Sequence, residues 1–203
     1  MTTTANTSSL TLVDALWPSA GSSLLRKAVL AVAGSVLLVV CAKIQVPMYP
    51  VPMTMQTFGI LIIAAAYGWP LGAITVLLYL AEGFVGLPVF AGAVAGPAYF
   101  AGTTGGYLVG FAAASGVVGF LAERGWTKGL VMTGLAMVLG NVVIYAFGLA
   151  WLDILLVGIK GVAGWDLAKV IHNGMVLFLV GDVVKAALAA IVLPAAWTLI
   201  RRP

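Results

Sequence analysis

The chain has 203 residues, 63% of them apolar, with ten basic and six acidic side chains making up 8% of the total and a net charge of +4. A soluble domain carries about 25% charged residues, and a mean hydropathy of +1.15 leaves too little polar surface to face water, so a soluble globular domain and a disordered chain are both excluded. The long apolar runs do not alternate as barrel strands do, and helices satisfy their own backbone in lipid, so an all-α integral membrane fold is expected. Met1 to Ser23 is polar, rich in Thr and Ser, and reads as a cytosolic N-terminal tail rather than a signal peptide. Residues 24–203 read as a single six-helix membrane domain. A helix needs about 20 apolar residues to cross ~30 Å, and Leu24 to Ala42 is the first such span. Pro47, Pro50 and Pro52, then Gly68-Trp69-Pro70, break the next apolar stretch. They predict a proline-rich loop, a second span near Met55 to Tyr67 and a third near Leu71 to Val85. Gly86 to Gly102, rich in Gly and Pro, reads as a loop or re-entrant segment. A fourth span is expected over Gly105 to Ala122 and a fifth over Gly129 to Leu152. Asp153 to Asn173 reads as an outer loop with room for a short surface helix, and the sixth span runs near Val176 to Ile200.

Six spans put both termini on one side. Arg26, Lys27, Arg124, Lys128, Arg201 and Arg202 share that side, against Lys43, Lys160 and Lys169 on the other, so both termini are expected to be cytosolic. All six Trp fall at or just beyond segment ends, as an aromatic belt requires. The lone Cys41 reads as a packing residue. No basic cluster exceeds two residues, which argues against a nucleic-acid partner. Counting back about 20 residues from Ile200 reaches the outer interface near Gly181. Asp182 and Lys185 therefore share a helix face near the outer edge. The same depth count puts Glu82, Asn141 and Tyr145 in the outer half, and Gln56, Thr57, Thr103, Thr104 and Tyr107 near the outer face. Polar groups from five spans thus meet at one depth, which predicts a solute site near the outer face. Intramembrane charges are functional candidates because they are costly unless paired. Each also has a structural reading. Asp182 and Lys185 can be an interfacial ion pair, Glu82 an outward-reaching carboxylate, and Asn141 glue between helices.

Several segments together identify a family. They are Pro52-Met53-Thr54-Met55-Gln56-Thr57, Gly86-Leu87-Pro88-Val89-Phe90-Ala91-Gly92 and Thr104-Gly105-Gly106-Tyr107-Leu108-Val109-Gly110-Phe111. Gly140-Asn141 with Tyr145 and Trp151, and Phe178 with Gly181-Asp182 and Lys185, complete the set. In this order, over about residues 28–195, they resemble the BioY family, the biotin-binding S-components of energy-coupling-factor transporters. The chain departs at Thr103, where the family usually has Pro, a change expected to loosen the loop, and at Val180, where Pro is frequent.

The resemblance implies biotin as the solute. Asp182 would accept from the ureido N–H groups, and Asn141, Thr104 or Tyr107 would donate to its carbonyl. Phe90, Tyr107 and Trp151 would cover the apolar bicycle. The carboxylate tail needs a cation, either Lys185 or Lys43. Tyr145, Glu82 and Gln56 complete the expected binding set, and the loop Gln45 to Pro52 reads as a lid. The resemblance calls for no cofactor or metal. It implies a multi-pass protein of the cell (inner) membrane, working with an energy-coupling transmembrane subunit and ATPase subunits. The chain has no Gly-x-x-x-x-Gly-Lys-Ser/Thr phosphate loop, so ATP hydrolysis would come from partners. The alternatives are a solitary facilitator, an S-component for another vitamin, a ligand-free structural subunit and an intramembrane enzyme built on Ser115 and His172. The enzyme reading is opposed by depth, because Ser115 falls near mid-membrane and His172 in an outer loop.

Overall fold

The computed structural model describes residues 11–17 and 23–200, which are mostly helical. Most of the expected tail, and Arg201 and Arg202, lie outside the described residues. The helices are α1 (Leu12–Leu16), α2 (Leu24–Lys43), α3 (Gln56–Tyr67), α4 (Trp69–Phe84), α5 (Pro97–Phe100), α6 (Gly105–Glu123), α7 (Leu130–Asp153), α8 (Leu167–Gly174) and α9 (Leu179–Ile200). Among the described residues, four segments are long and apolar enough to cross a membrane: Leu24–Lys43, Gly105–Glu123, Leu130–Ile159 and Leu167–Ile200. The expected second and third spans are shorter, at 12 residues for α3 and 16 for α4. At 1.5 Å per residue they fall short of a ~30 Å core.

The reason for the break between α3 and α4 is local. Gly68 takes φ +81°, which a side chain disfavours, and Pro70 sits in the first turn of α4. The Trp69 backbone N–H, left open at that helix start, donates to Glu123 Oε1 at 2.9 Å. The end of α6 thus holds the start of α4. Helix α6 packs against α3, α4 and α7. Its glycines permit this: a Cβ on Gly110 would stand 2.9 Å from Ile144 Cα, and one on Gly119 would stand 2.5 Å from Trp69 Cα.

The Gly68 end of the bundle also receives α1. Leu12 is buried in the core, and Arg26 donates to the Val13 carbonyl at 3.1 Å and pairs with Asp14 at 3.2 Å. Trp197, near the end of α9, is buried with the Lys128 ammonium 5.0 Å from its ring centre. It is therefore a packing residue rather than part of a lipid-facing belt. The first and last described residues sit at this one end. The opposite end carries the long loops. There β1 (Gln45–Val46) pairs antiparallel with β2 (Met53–Thr54), with Gln45 opposite Thr54 and Val46 opposite Met53. The proline-rich segment 47–52 is the tip of this hairpin, and its Tyr49–Pro50 peptide is cis.

Candidate functional site

Beneath the hairpin lies a cavity with about 520 Å³ of space between atoms, open solvent at the mouth included. Three helices carry its charged pair and the side chains bonded to it. Asp182 and Lys185, one turn apart on α9, are 5% and 9% exposed, so both charges are withdrawn from solvent. The Lys185 ammonium donates to Asp182 Oδ1 at 3.2 Å and to Thr57 Oγ1, on α3, at 3.0 Å. The Tyr145 hydroxyl, on α7, donates to Asp182 Oδ2. Each buried charge is thus paired and hydrogen-bonded, the condition under which burial is tolerable. A carboxylate offers about four acceptor directions. Asp182 keeps capacity for further donors after these two.

The rest of the wall is Thr54 and Gln56 under the hairpin, Thr104 and Tyr107 at the start of α6, and an apolar lining of Val51, Met53, Leu108, Phe111, Ile144 and Phe178. The Gln56 amide is fixed from both sides. It donates to the Tyr79 hydroxyl at 2.7 Å and accepts from Thr54 at 3.1 Å. Tyr107 donates to the Gly174 carbonyl at 2.8 Å, which ties α6 to the C-terminal end of α8. Tyr99, on the short α5 outside the spans, also lines the cavity. Burial pushes its phenol up from the ordinary tyrosine value, so it presents a neutral O–H.

Of the nine residues expected at the site, the cavity brings together Gln56, Thr104, Tyr107, Tyr145, Asp182 and Lys185. Glu82, Asn141 and Phe90 lie outside its wall. Glu82 accepts from Ser35 where α4 meets α2. Asn141 lines a neighbouring groove between α7 and α9, together with Val138, Val142 and Ala186, which shares Tyr145 and Asp182 with the cavity. The Phe90 ring is fully buried behind the wall, where it stacks on Tyr99 at 4.6 Å and fills the space above Gly83. Trp151 donates to the Gly102 carbonyl at 2.8 Å and braces the loop rather than lining the cavity. Lys43 donates to the carbonyls of Phe90 at 2.8 Å and Gly92 at 3.1 Å. Thr103 ties its loop instead of loosening it: the hydroxyl donates to the Pro50 carbonyl at 2.7 Å, a bond that proline could not supply. The sequence reading missed Tyr99 and Phe111 as lining residues. Phe111 lies four residues after Tyr107 on one helix face, which is a usable signal; Tyr99 sits on the four-residue α5, too short to show a periodicity.

Ser115 is fully buried and donates to the Ala112 carbonyl at 2.8 Å, its own preceding turn, while His172 lies on α8 at the loop end. Among the described residues no three His, Cys, Asp or Glu side chains group as a metal site.

The chain matches the BioY family profile over residues 6–202. It is 40% identical to the biotin transporter BioY of Rhizobium etli, over 70% of this chain and 75% of that one. The probable biotin transporter BioY of Pyrococcus horikoshii is 37% identical, over 74% and 83%. The biotin transporter BioY of Thermotoga maritima is 35% identical, over 77% and 86%. In fold the chain is similar to the crystal structure of the S-component for biotin from an ECF-type ABC transporter, with a TM-score of 0.70. That likeness has 22% identity and covers 88% of this chain and 95% of the other.

Proposed function

Because the chain belongs to the BioY family, we propose that it is a membrane subunit that captures biotin from outside and delivers it to the cytosol. The observation that carries this reading is the buried Asp182–Lys185 pair, held by Tyr145 and Thr57 in an otherwise mostly apolar cavity. Biotin presents a ureido group, an apolar bicycle and a carboxylate tail. The two charges stand 3.2 Å apart, so they serve the same end of an extended ligand. That end is the ureido. Asp182 accepts from its N–H groups and the Lys185 ammonium donates to its carbonyl, with Thr104 nearby as a further donor. Tyr107, Phe111 and Phe178 flank the bicycle. The tail then points toward the hairpin. Lys43 already serves two loop carbonyls, so the tail is left to water and to hydroxyls near the mouth.

In this reading residues 24–203 cross the cell membrane six times, with residues 1–23 and the C-terminus cytosolic and the hairpin end outside. Delivery is driven by ATPase partners through a shared transmembrane subunit. The absence of a phosphate-binding loop from the sequence supports partners as the energy source. Calorimetric titration of the purified protein with biotin, lipoate, thiamine and riboflavin tests the substrate. Lipoate shares the carboxylate tail and lacks the ureido group, so biotin alone should bind tightly. Preference for any of the other three, or no heat with biotin, removes the reading.

A further inference from the structure

The cavity and a wider cleft above it share three residues, Pro52, Tyr99 and Thr104. These form the partition between the two spaces. The cleft runs between the hairpin tip, at Pro47 and Met48, and the segment 91–103, at Gly92 and Thr103. Both walls are pinned at their bases. The hairpin is held by the Gln45–Thr54 pairing. The opposite segment is held by Lys43 on the Phe90 and Gly92 carbonyls and by Trp151 on the Gly102 carbonyl. Between these fixed bases a side-chain bond crosses the cleft, from the Thr103 hydroxyl to the Pro50 carbonyl at 2.7 Å. The edge contact of Tyr49 on Trp165, at 6.1 Å between ring centres, holds the tip to a different loop and leaves the cleft side untouched.

We propose that ligand reaches the cavity through this cleft and that Thr103 is a positioning residue, the latch whose hydroxyl holds the hairpin against the segment 91–103. This rests on the function proposed above. A single neutral hydrogen bond is strong enough to bias the closed arrangement and weak enough to break during each binding event. Its loss should therefore speed opening and leave the contacts inside the cavity intact. Rates of capture and release change together, and affinity moves far less than either.

The test compares the parent with Thr103→Val, which keeps the shape and removes the donor, and Thr103→Ser, which keeps the donor. Release of tritiated biotin into excess unlabelled biotin, and its capture, are followed with purified protein. Thr103→Val should exchange roughly 2- to 12-fold faster than the parent. Thr103→Ser should exchange at the parental rate. Parental exchange in Thr103→Val overturns the latch, and so does equally fast exchange in both variants. A second arm needs no ligand. A cysteine placed by Phe111→Cys in the cavity wall, in a Cys41→Ala background, is labelled with a small thiol reagent. Labelling should be faster when Thr103→Val is added, and unchanged labelling overturns the proposal. A parent that binds no biotin counts against the function, while the labelling arm still decides the latch.

Discussion

Asp182 receives two donors from inside the protein, the Tyr145 hydroxyl and the Lys185 ammonium, and this fixes where its remaining lone pairs point. A hydrogen bond to a charged group contributes about 1.5–3 kcal/mol, so Asp182→Asn and Lys185→Ala should each weaken biotin binding roughly 10- to 150-fold. A purely structural pair makes another forecast. Each single change would strand a buried charge and lower the melting temperature, and the double change would restore both stability and affinity. Melting temperature and affinity for the two singles and the double separate the cases; a double mutant that binds like the parent defeats the assignment. These residues were legible in the sequence because charges and carboxamides are rare at depth in an apolar chain. The depth count gives height along a helix and says nothing of which neighbour a side chain faces. Glu82 and Asn141 are at plausible heights, yet one meets Ser35 on α2 and the other lines the groove between α7 and α9. Phe90 came from a motif, and a motif carries no packing direction.

Helix limits were legible to within about two residues for α2, α3, α4, α6 and α7, because Gly, Pro and charged residues interrupt an otherwise uniform apolar pattern. The hairpin was not. Two two-residue strands are held by backbone pairing and by the Met55 N–H on the Ile44 carbonyl at 3.0 Å, and no periodicity announces so short a ladder. The hairpin predicts its own behaviour. Met48 is half-buried at the cleft, so a Met48→Cys thiol in a Cys41→Ala background should label more slowly with biotin bound; unchanged labelling removes the lid role. The α4–α6 contact makes a second forecast at the far end of the bundle. A Cβ on Gly119 would meet the backbone of Gly68 and Trp69 at 2.5–2.6 Å, and backbone cannot yield as a flexible side chain does. Gly119→Ala should cost about 1–3 kcal/mol and lower the melting temperature, with biotin affinity of the folded fraction unchanged. Equal melting curves for parent and variant would show that the helices separate freely there.

At the scale of the whole molecule, composition made the membrane class legible, and the loops made one end of the bundle different from the other. Met55 to Tyr67 and Leu71 to Val85, ended by Gly and Pro, already fall short of the ~20 residues a crossing needs, and α3 and α4 keep those limits. Side-to-side orientation rests on charge. Arg26, Lys27, Arg124 and Lys128 belong to the end where α1 docks and α9 finishes, and Arg201 and Arg202 follow in sequence, outside the described residues. Lys43, Lys160 and Lys169 belong to the hairpin end. Excess Lys and Arg in short loops marks the cytosolic face, so the cavity mouth should open outward, where a scarce solute is met, and the α1 end should face any ATP-driven partner. Alkaline phosphatase, active only after export, reads this directly. Fused after the C-terminus it should be silent, and inserted after Lys160 it should be active. The reverse pair of signals would turn the molecule over, place the mouth in the cytosol and make capture from outside impossible in this conformation. Activity at both positions would mean an even number of crossings between them, which α9 failing to span would produce.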